Sequence, residues 1–402
     1  MSIELFEIVD GKHLRHSLAS TCIVVATYNR PASLERLLRL LTRAQYSERV
    51  DLIISIDNGP LSKELIHIAK KMDWVFGRKI TRLAMENLGL RKHILECGDV
   101  VAGYEAVIIL EDDLLVGPYF HQFCRQALNA YESDDGIAGI SLYSPDYNEM
   151  ANLPFLAESS DCSVYALQSA QSWGQCWSRR MWNQFREWYS TSKTPPMHSA
   201  DMPDRIYSWP ESSWKKYSMK YLVESGRTWI YPYRSHSSNC SEIGTHNQAV
   251  TNLFQVQLDS TQHSYFFRPR HDLVSYDIYF ERSPRQFPEL RRDEDVPLII
   301  DLYATRQKVI GPALLLTVRT LKRAPVAQYS MSLKPHETGS RMLQSGIDAR
   351  LYQIEKGENI DLLSRAYKRN PAIYSNIRWQ DAMHVGLSGL KTAVSRRFRK
   401  KV

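Results

Sequence analysis

A run of branched apolar residues that stops at three carboxylates constrains this chain more than any other feature of its 402 residues. Ala106-Val107-Ile108-Ile109-Leu110 leads directly into Glu111-Asp112-Asp113. Consecutive rather than alternating apolar residues suit a strand in the middle of a parallel sheet covered on both faces. Ligands of open α/β sheets bind beyond the carboxyl ends of such strands, which is where the triplet falls. Three neighbouring carboxylates repel one another, so a positive partner is expected among them. A hard divalent cation carrying a diphosphate has the right chemistry, because Mg²⁺ and Mn²⁺ take oxygen ligands and keep phosphate as a co-ligand. An isolated acidic run is ordinarily a solvated turn. The abrupt edge between apolar strand and acids weighs against that here.

Upstream, the same pattern occurs twice more. Residues 21–26 read as a buried strand closed by Thr27-Tyr28-Asn29-Arg30-Pro31. Leu34, Leu37, Leu38 and Leu41 then repeat at helical spacing, and Pro31 suits the first turn of that helix. Residues 51–56 form a second expected strand, ended by Asp57-Asn58-Gly59-Pro60, and a helix is expected over 62–72. A short strand over 79–84 precedes Asn87-Leu88-Gly89-Leu90 and a helix to about residue 97. Alternation of this kind predicts an α/β fold with a mostly parallel sheet and right-handed crossovers. Three strand ends would then carry polar residues on one edge. Further on, helices are expected over 120–131, 179–189 and 214–224, with strands over 136–142 and 228–232. The stretch 143–210 otherwise reads as irregular, and no internal repeat is present.

Charge divides the chain. Residues 301–402 hold 19 Lys+Arg against 7 Asp+Glu, leaving 32 against 37 in residues 1–300, so the net +7 belongs to the last quarter. Within it, residues 386–402 set Leu387, Leu390, Val394 and Phe398 against six cations, the pattern of an amphipathic basic helix. Such a helix attracts anionic lipid or another anionic polymer; read as a solvated end, it needs no partner. Nucleic acid is not an expected partner, because the half with the acidic strand ends is net negative and carries no recognition motif. The six cysteines show no close pair and no metal spacing, which points to reduced thiols in a cytosolic protein. Residues 1–10 lack a basic stretch followed by an apolar core, so no secretory leader is expected, and no run of 18 apolar residues occurs.

These motifs together resemble a known family. Ala26-Thr27-Tyr28-Asn29-Arg30-Pro31, Ser55-Ile56-Asp57, Asn87-Leu88-Gly89-Leu90 and Ile109-Leu110-Glu111-Asp112-Asp113-Leu114 with Pro118-Tyr119-Phe120 carry the likeness. Tyr231-Pro232, Asn239 and Gly244-Thr245-His246 complete it. Over residues 20–250 the chain is similar to GT-A-fold glycosyltransferases, in particular N-acetylglucosaminyltransferase I and its bacterial relatives. The resemblance implies a Rossmann-like nucleotide-diphospho-sugar transferase domain over 1–258, followed by a largely helical basic extension over 259–402. It implies a UDP-sugar donor, Mn²⁺ or Mg²⁺, and a saccharide or lipid-linked saccharide acceptor, in bacterial surface polysaccharide or glycolipid synthesis. The enzyme would be a hexosyltransferase, cytoplasmic or peripheral on the inner membrane face. By the same resemblance Arg30 and Thr27 contact the nucleotide and Asp57 pairs with the uracil edge. Glu111 and Asp112 face ribose and sugar, while Asp113 binds the metal, with His246 as a further ligand.

The residues are consistent with those roles. A carboxylate accepts the uracil N3–H that cytosine lacks, and an arginine beside backbone N–H groups holds a diphosphate. Each also has a plainer reading: Asp57 as the start of a turn, Arg30 as the partner of a nearby acid, His246 and His236 as surface or packing residues. An inverting transfer needs a general base. The family places an Asp within Trp-Asp-Asp-Trp, whereas this chain reads Trp209-Pro210-Glu211-Ser212-Ser213-Trp214-Lys215-Lys216. Glu211 is the nearest acid, an alternative register puts Lys216 in its place, and Asp201 and Asp204 remain open. Trp173 and Trp177 suit either an acceptor platform or the core. Inversion with Glu211 as the base is the expected mechanism, with retention without a base, or a non-catalytic carbohydrate-binding protein, as the alternatives. A sugar-nucleotide-forming nucleotidyltransferase would want a glycine-rich loop after the first strand. A phosphatase would want its Asp where Thr27 stands.

Overall fold

The computed structural model describes residues 6–9, 20–192, 202–240, 252–291, 295–365 and 383. They fall into two compact units, one within residues 1–288 together with 305–309, the other within 289–304 and from 310 onward.

The first unit is built on a ten-stranded mixed sheet. Its strands are β1 (Phe6–Val9), β2 (Thr21–Thr27), β3 (Val50–Ile56), β4 (Lys79–Leu83), β5 (Ala106–Glu111), β7 (Ile137–Ser141), β10 (Val164–Leu167), β11 (Gln175–Ser178), β12 (Thr228–Pro232) and β14 (Ser275–Tyr276). They lie in the order β1-β4-β3-β2-β5-β11-β7-β12-β10-β14. The block β4-β3-β2-β5 is parallel throughout, as the β–α alternation predicts. β2 is buried along its whole length, which is why it reads as an unbroken apolar run. Two short ladders stand outside the sheet: β6 (Leu114–Val116) with β13 (Ser237–Asn239), and β8 (Tyr147–Asn148) with β9 (Leu153–Pro154).

Beyond β5 the sheet departs from the parallel expectation. β11 runs antiparallel to both β5 and β7, and β10 antiparallel to β12. Both strands fall in the stretch read as irregular. Each is four residues long and wholly buried, so neither has the alternation or length that marks a strand in sequence.

The helices flanking the sheet are α1 (Pro31–Arg43), α2 (Ser62–Lys71), α3 (Gly89–Asp99), α4 (Phe120–Tyr131), α5 (Arg179–Ser192), α6 (Asp204–Tyr207) and α7 (Trp214–Ser225). α1 begins at Pro31 and buries Leu34, Leu37, Leu38 and Leu41, the stripe expected from their spacing. α3 comes close to α5 because Gly98 has no side chain; a Cβ there would lie 2.0 Å from the Trp182 ring. Trp182 belongs to an aromatic core with Trp177 at 5.0 Å between ring centres, and Trp177 meets Trp229 at 4.8 Å. That buries Trp177 as a core residue and removes it from any acceptor platform.

His121 on α4 is fully buried, and neither of its ring nitrogens has a hydrogen-bond partner. Burial pushes its pKa down to about 4, with Arg125 adding to the effect. An unfolded chain protonates this histidine near its ordinary 6.5, so between pH 6.5 and 4 the unfolded state takes up a proton that the folded state refuses. Stability therefore falls as pH drops through that window, by about 2 kcal/mol at pH 5 for this one group. His121→Phe is expected to stabilise the protein more at pH 5 than at pH 7.5, measured by urea unfolding at both. An equal shift at the two pH values would show that His121 titrates normally.

Among its described residues, the second unit is built on strands, where a largely helical extension is expected from residue 259. The division comes after Pro288, and the described residues form a four-stranded sheet. Its strands β15 (Leu298–Asp301), β16 (Ala313–Thr317), β17 (Ala327–Tyr329) and β18 (Ala349–Ile354) lie in the order β15-β16-β18-β17, with one short helix, α8 (Thr338–Arg341). Ala313–Thr317 is buried at every position, and a short apolar run of that kind has no period to separate strand from helix. Arg319 and Asp301 make a buried ion pair at 3.1 Å, with Thr317 donating to the same carboxylate oxygen at 2.9 Å. The amphipathic stretch 386–402 lies outside the described residues.

Candidate active site

Strand register brings the three polar strand ends together. Ala26 stands opposite Glu111 across β2 and β5, and Thr27 opposite Ile56 across β2 and β3. The turn after β2, Asp57 after β3 and the acids after β5 therefore share one edge. They open onto a cleft of about 450 Å³, lined among others by Tyr28, Arg30, Asn87, Glu111, Asp112 and Ser212.

At this edge of the sheet the carboxylates are individually held. Thr27 Oγ1 donates to Asp112 Oδ2 at 2.7 Å, and the Tyr28 N–H points at the same oxygen at 3.4 Å. Arg30 donates to Asp113 Oδ2 at 2.5 Å and lies 3.6 Å from Asp112 Oδ1. Asp113 is 5% exposed, and its second oxygen, Oδ1, is buried without a partner. Burial pushes Glu111 up to about 8, with the Asp113 and Asp112 charges reinforcing it. Burial also raises Asp112 to about 6, against the opposing pull of Arg30 and the Thr27 hydroxyl. A positive group among the acids, expected on grounds of repulsion, is thus present as Arg30.

Among the described residues, no group of three or more His, Cys, Asp or Glu side chains is arranged to hold a metal ion. The residues present nonetheless fit one. Mg²⁺-type ions are held by one or two carboxylates together with substrate phosphates rather than by full protein cages. Asp113 Oδ1 is a buried anionic oxygen with no other bond. His246 lies outside the described residues.

Asp57 is 3% exposed and largely committed to the backbone. Its Oδ1 accepts from the N–H of Leu88 at 2.7 Å and of Asn58 at 2.9 Å, and its Oδ2 from the N–H of Gly89 at 3.0 Å. The carboxylate thus fastens the start of α3, where Gly89 takes a φ of +72° that favours glycine. A carboxylate has about four acceptor positions, so one remains for a ligand. Asn58 and Asn87 tie the same two loops together, through Asn58 Nδ2 to Met85 O and Asn87 Nδ2 to Asn58 O.

His93 also lines this cleft, and sequence reading missed it. Its Nε2 is 2.9 Å from Ser55 Oγ, and burial lowers its pKa against the pull of Asp57. Its place one helical turn beyond Gly89, on the helix opened by Asn87-Leu88-Gly89, was the available signal.

Glu211 lies beside the cleft rather than in it. Its Oε1 accepts from Lys216 Nζ at 2.6 Å and its Oε2 from the Tyr217 hydroxyl at 2.5 Å. Those two bonds hold its pKa below the ordinary carboxylate value. Lys216, 4% exposed, also donates to the carbonyls of Tyr207 and Trp209, at 3.3 and 3.0 Å. It therefore clamps the 207–211 loop to α7, and the loop's next residue, Ser212, reaches the cleft. Lys215, also missed, pairs with Glu149 at 2.5 Å, and its charge lowers the Glu111 pKa. Asp204 is exposed and accepts from Gln307 at 2.6 Å, while Asp201 lies outside the described residues. His236, 1% exposed, stacks on Phe123 with 4.6 Å between ring centres, a packing position. Trp173 is half-buried between Tyr143 and Phe254.

No protein-family model and no curated protein matches this chain. Among solved structures it is similar to the mannosyltransferase PcManGT from Pyrobaculum calidifontis in complex with GDP-Man and Mn²⁺. The identity is 12% over 53% of this chain and 55% of that one, with a TM-score of 0.34. It is also similar to S. aureus TarS 1-349 in complex with UDP-GlcNAc, at 10% identity over 58% and 61% of the two chains and a TM-score of 0.36. In both cases the chain spans less than two thirds of the other protein. Overlaps this partial leave function to be read from the cleft itself.

Proposed function

We propose that this chain is a metal-dependent glycosyltransferase of GT-A type that moves a sugar from a UDP-sugar to a saccharide acceptor. One observation carries the reading. A buried carboxylate with an unpartnered oxygen, Asp113, pairs with Arg30, and Arg30 and the neighbouring Asp112 line a cleft at the carboxyl ends of adjacent parallel strands. Such an edge is where α/β sheets bind nucleotides. A divalent ion there supplies Lewis-acid stabilisation of the departing diphosphate, with Asp113 Oδ1 as its protein ligand and His246 as the further ligand the resemblance implies. Arg30 offers a planar donor set for phosphate oxygens. Thr27 and the Tyr28 N–H orient Asp112 toward ribose and sugar. The remaining lone pair of Asp57 accepts the uracil N3–H.

For the proton of the acceptor hydroxyl, the Lys216 clamp favours the second of two readings. A carboxylate with depressed pKa is a weak general base near neutrality, so Glu211 serves inversion only if acceptor binding breaks its bonds to Lys216 and Tyr217. Retention without a base asks nothing of that loop beyond shape. We place the reaction in surface polysaccharide or glycolipid synthesis, with the basic last quarter of the chain meeting an anionic membrane surface. Among the described residues, no helix is long and apolar enough to cross a membrane.

The direct test is a panel of sugar nucleotides incubated with purified protein and Mn²⁺, scored for free nucleotide. UDP release that stops on chelation is the expected result. Release that is indifferent to chelation, or confined to non-uridine donors, would overturn the metal or the base assignment respectively.

A further inference from the structure

We propose that Arg30 is a stand-in cation: it holds Asp113 through Oδ2, beside the oxygen open to a metal, until a nucleotide diphosphate draws it away, so that metal and donor are taken up only together. The inference rests on the metal-dependent transferase reading above and adds an order of events to it.

The geometry shows a pair that is incomplete as an ion pair. A single guanidinium nitrogen serves both neighbours, at 2.5 Å from Asp113 and 3.6 Å from Asp112. Asp113 Oδ1 is left buried and unbonded, although a structural arginine–carboxylate pair usually satisfies both oxygens in a parallel fork. Leaving a buried carboxylate oxygen unpaired costs stability. That oxygen suits a second, different cation.

Charge decides what happens next. A divalent ion bound to Asp113 at about 2.1 Å would lie within a few ångströms of the guanidinium, both on the same carboxylate. That repulsion disfavours metal binding while Arg30 stays in place. A diphosphate changes the balance, because it adds negative charge on the open side of the cleft and offers Arg30 a bidentate partner. The arginine side chain is 27% exposed, so it reaches that side. Arg30 occupies the N-cap position of α1 without making a side-chain capping bond, so its release does not unravel the helix start. Thr27 and Tyr28 retain Asp112 throughout, which confines the change to one side chain.

The test is Mn²⁺ binding followed by electron paramagnetic resonance, on the full chain, with and without UDP. Wild type is expected to bind Mn²⁺ weakly alone and at least tenfold more tightly with UDP. Arg30→Gln is expected to bind Mn²⁺ alone at least tenfold more tightly than wild type, and to lose much of the further gain from UDP. Arg30→Lys keeps the charge without the fork, should fall between the two, and carries the test if Arg30→Gln fails to fold. Were wild type to show UDP-dependent Mn²⁺ binding while both variants bound Mn²⁺ alone no better than wild type, the stand-in role would be refuted and the metal site kept. Were no form to bind Mn²⁺ with or without UDP, the metal-dependent reading itself would fall.

Discussion

Asp113→Asn should abolish the thermal protection that UDP gives in the presence of Mn²⁺ and cut sugar transfer by about a thousandfold. The magnitude follows from the several kcal/mol of Lewis-acid stabilisation a bound ion provides, at about 1.4 kcal/mol per tenfold in rate. The substitution keeps the shape and removes the charge from a carboxylate whose second oxygen is buried without a partner. Folding should be little changed, because the lost pairing with Arg30 is offset by relief of repulsion from Asp112. Thermal unfolding with UDP, with Mn²⁺ and with both separates these effects. Undiminished, metal-dependent protection in Asp113→Asn would show that the ion sits elsewhere.

Asp57→Ala should lower stability by about 4 kcal/mol or more, since hydrogen bonds to a charged acceptor are each worth about 1.5–3 kcal/mol and three backbone N–H groups depend on this carboxylate. It would leave the N–H groups of Leu88 and Gly89 unpaired and remove an anion from the positive end of α3. The same change should erase any preference for uridine over cytidine diphosphate. Urea unfolding with an unchanged denaturant slope measures the first effect, and competition between the two nucleotides measures the second. A loss below about 1 kcal/mol would mean that water or Asn58 takes over the amides. Retained discrimination would move base recognition to another residue. The two outcomes are independent, so Asp57 can be structural, selective or both.

Much of this site is legible in the amino-acid order. The parallel block β4-β3-β2-β5 follows from apolar runs of strand length separated by helical stripes, and its polar ends had to converge on one edge once the strands were neighbours. The Leu34–Leu41 stripe and Pro31 likewise mark α1. The shortest buried strands are not legible. Gln175–Ser178 and Val164–Leu167 have four buried residues apiece, and only pairing with distant strands makes them strands at all. The second unit fails for the same reason, since its sheet joins segments whose local pattern shows no period. Glu211 falls beside the cleft, near where its spacing suggests, but its partner five residues on, Lys216, could not be foreseen. A lysine two residues into a helix ordinarily faces water, and here the returning loop covers it.

The sequence by itself determined that acids cluster at the ends of buried parallel strands, because strand burial and turn chemistry are local properties. Tertiary structure alone decided which charge answers them. Arg30 reaches Asp113 across 83 residues of chain, Thr27 takes Asp112 across 85, and one oxygen of Asp113 is left over. Such choices arise from competition among side chains at a few ångströms in a shielded cleft, where partners are set by three-dimensional proximity and no local pattern records the outcome.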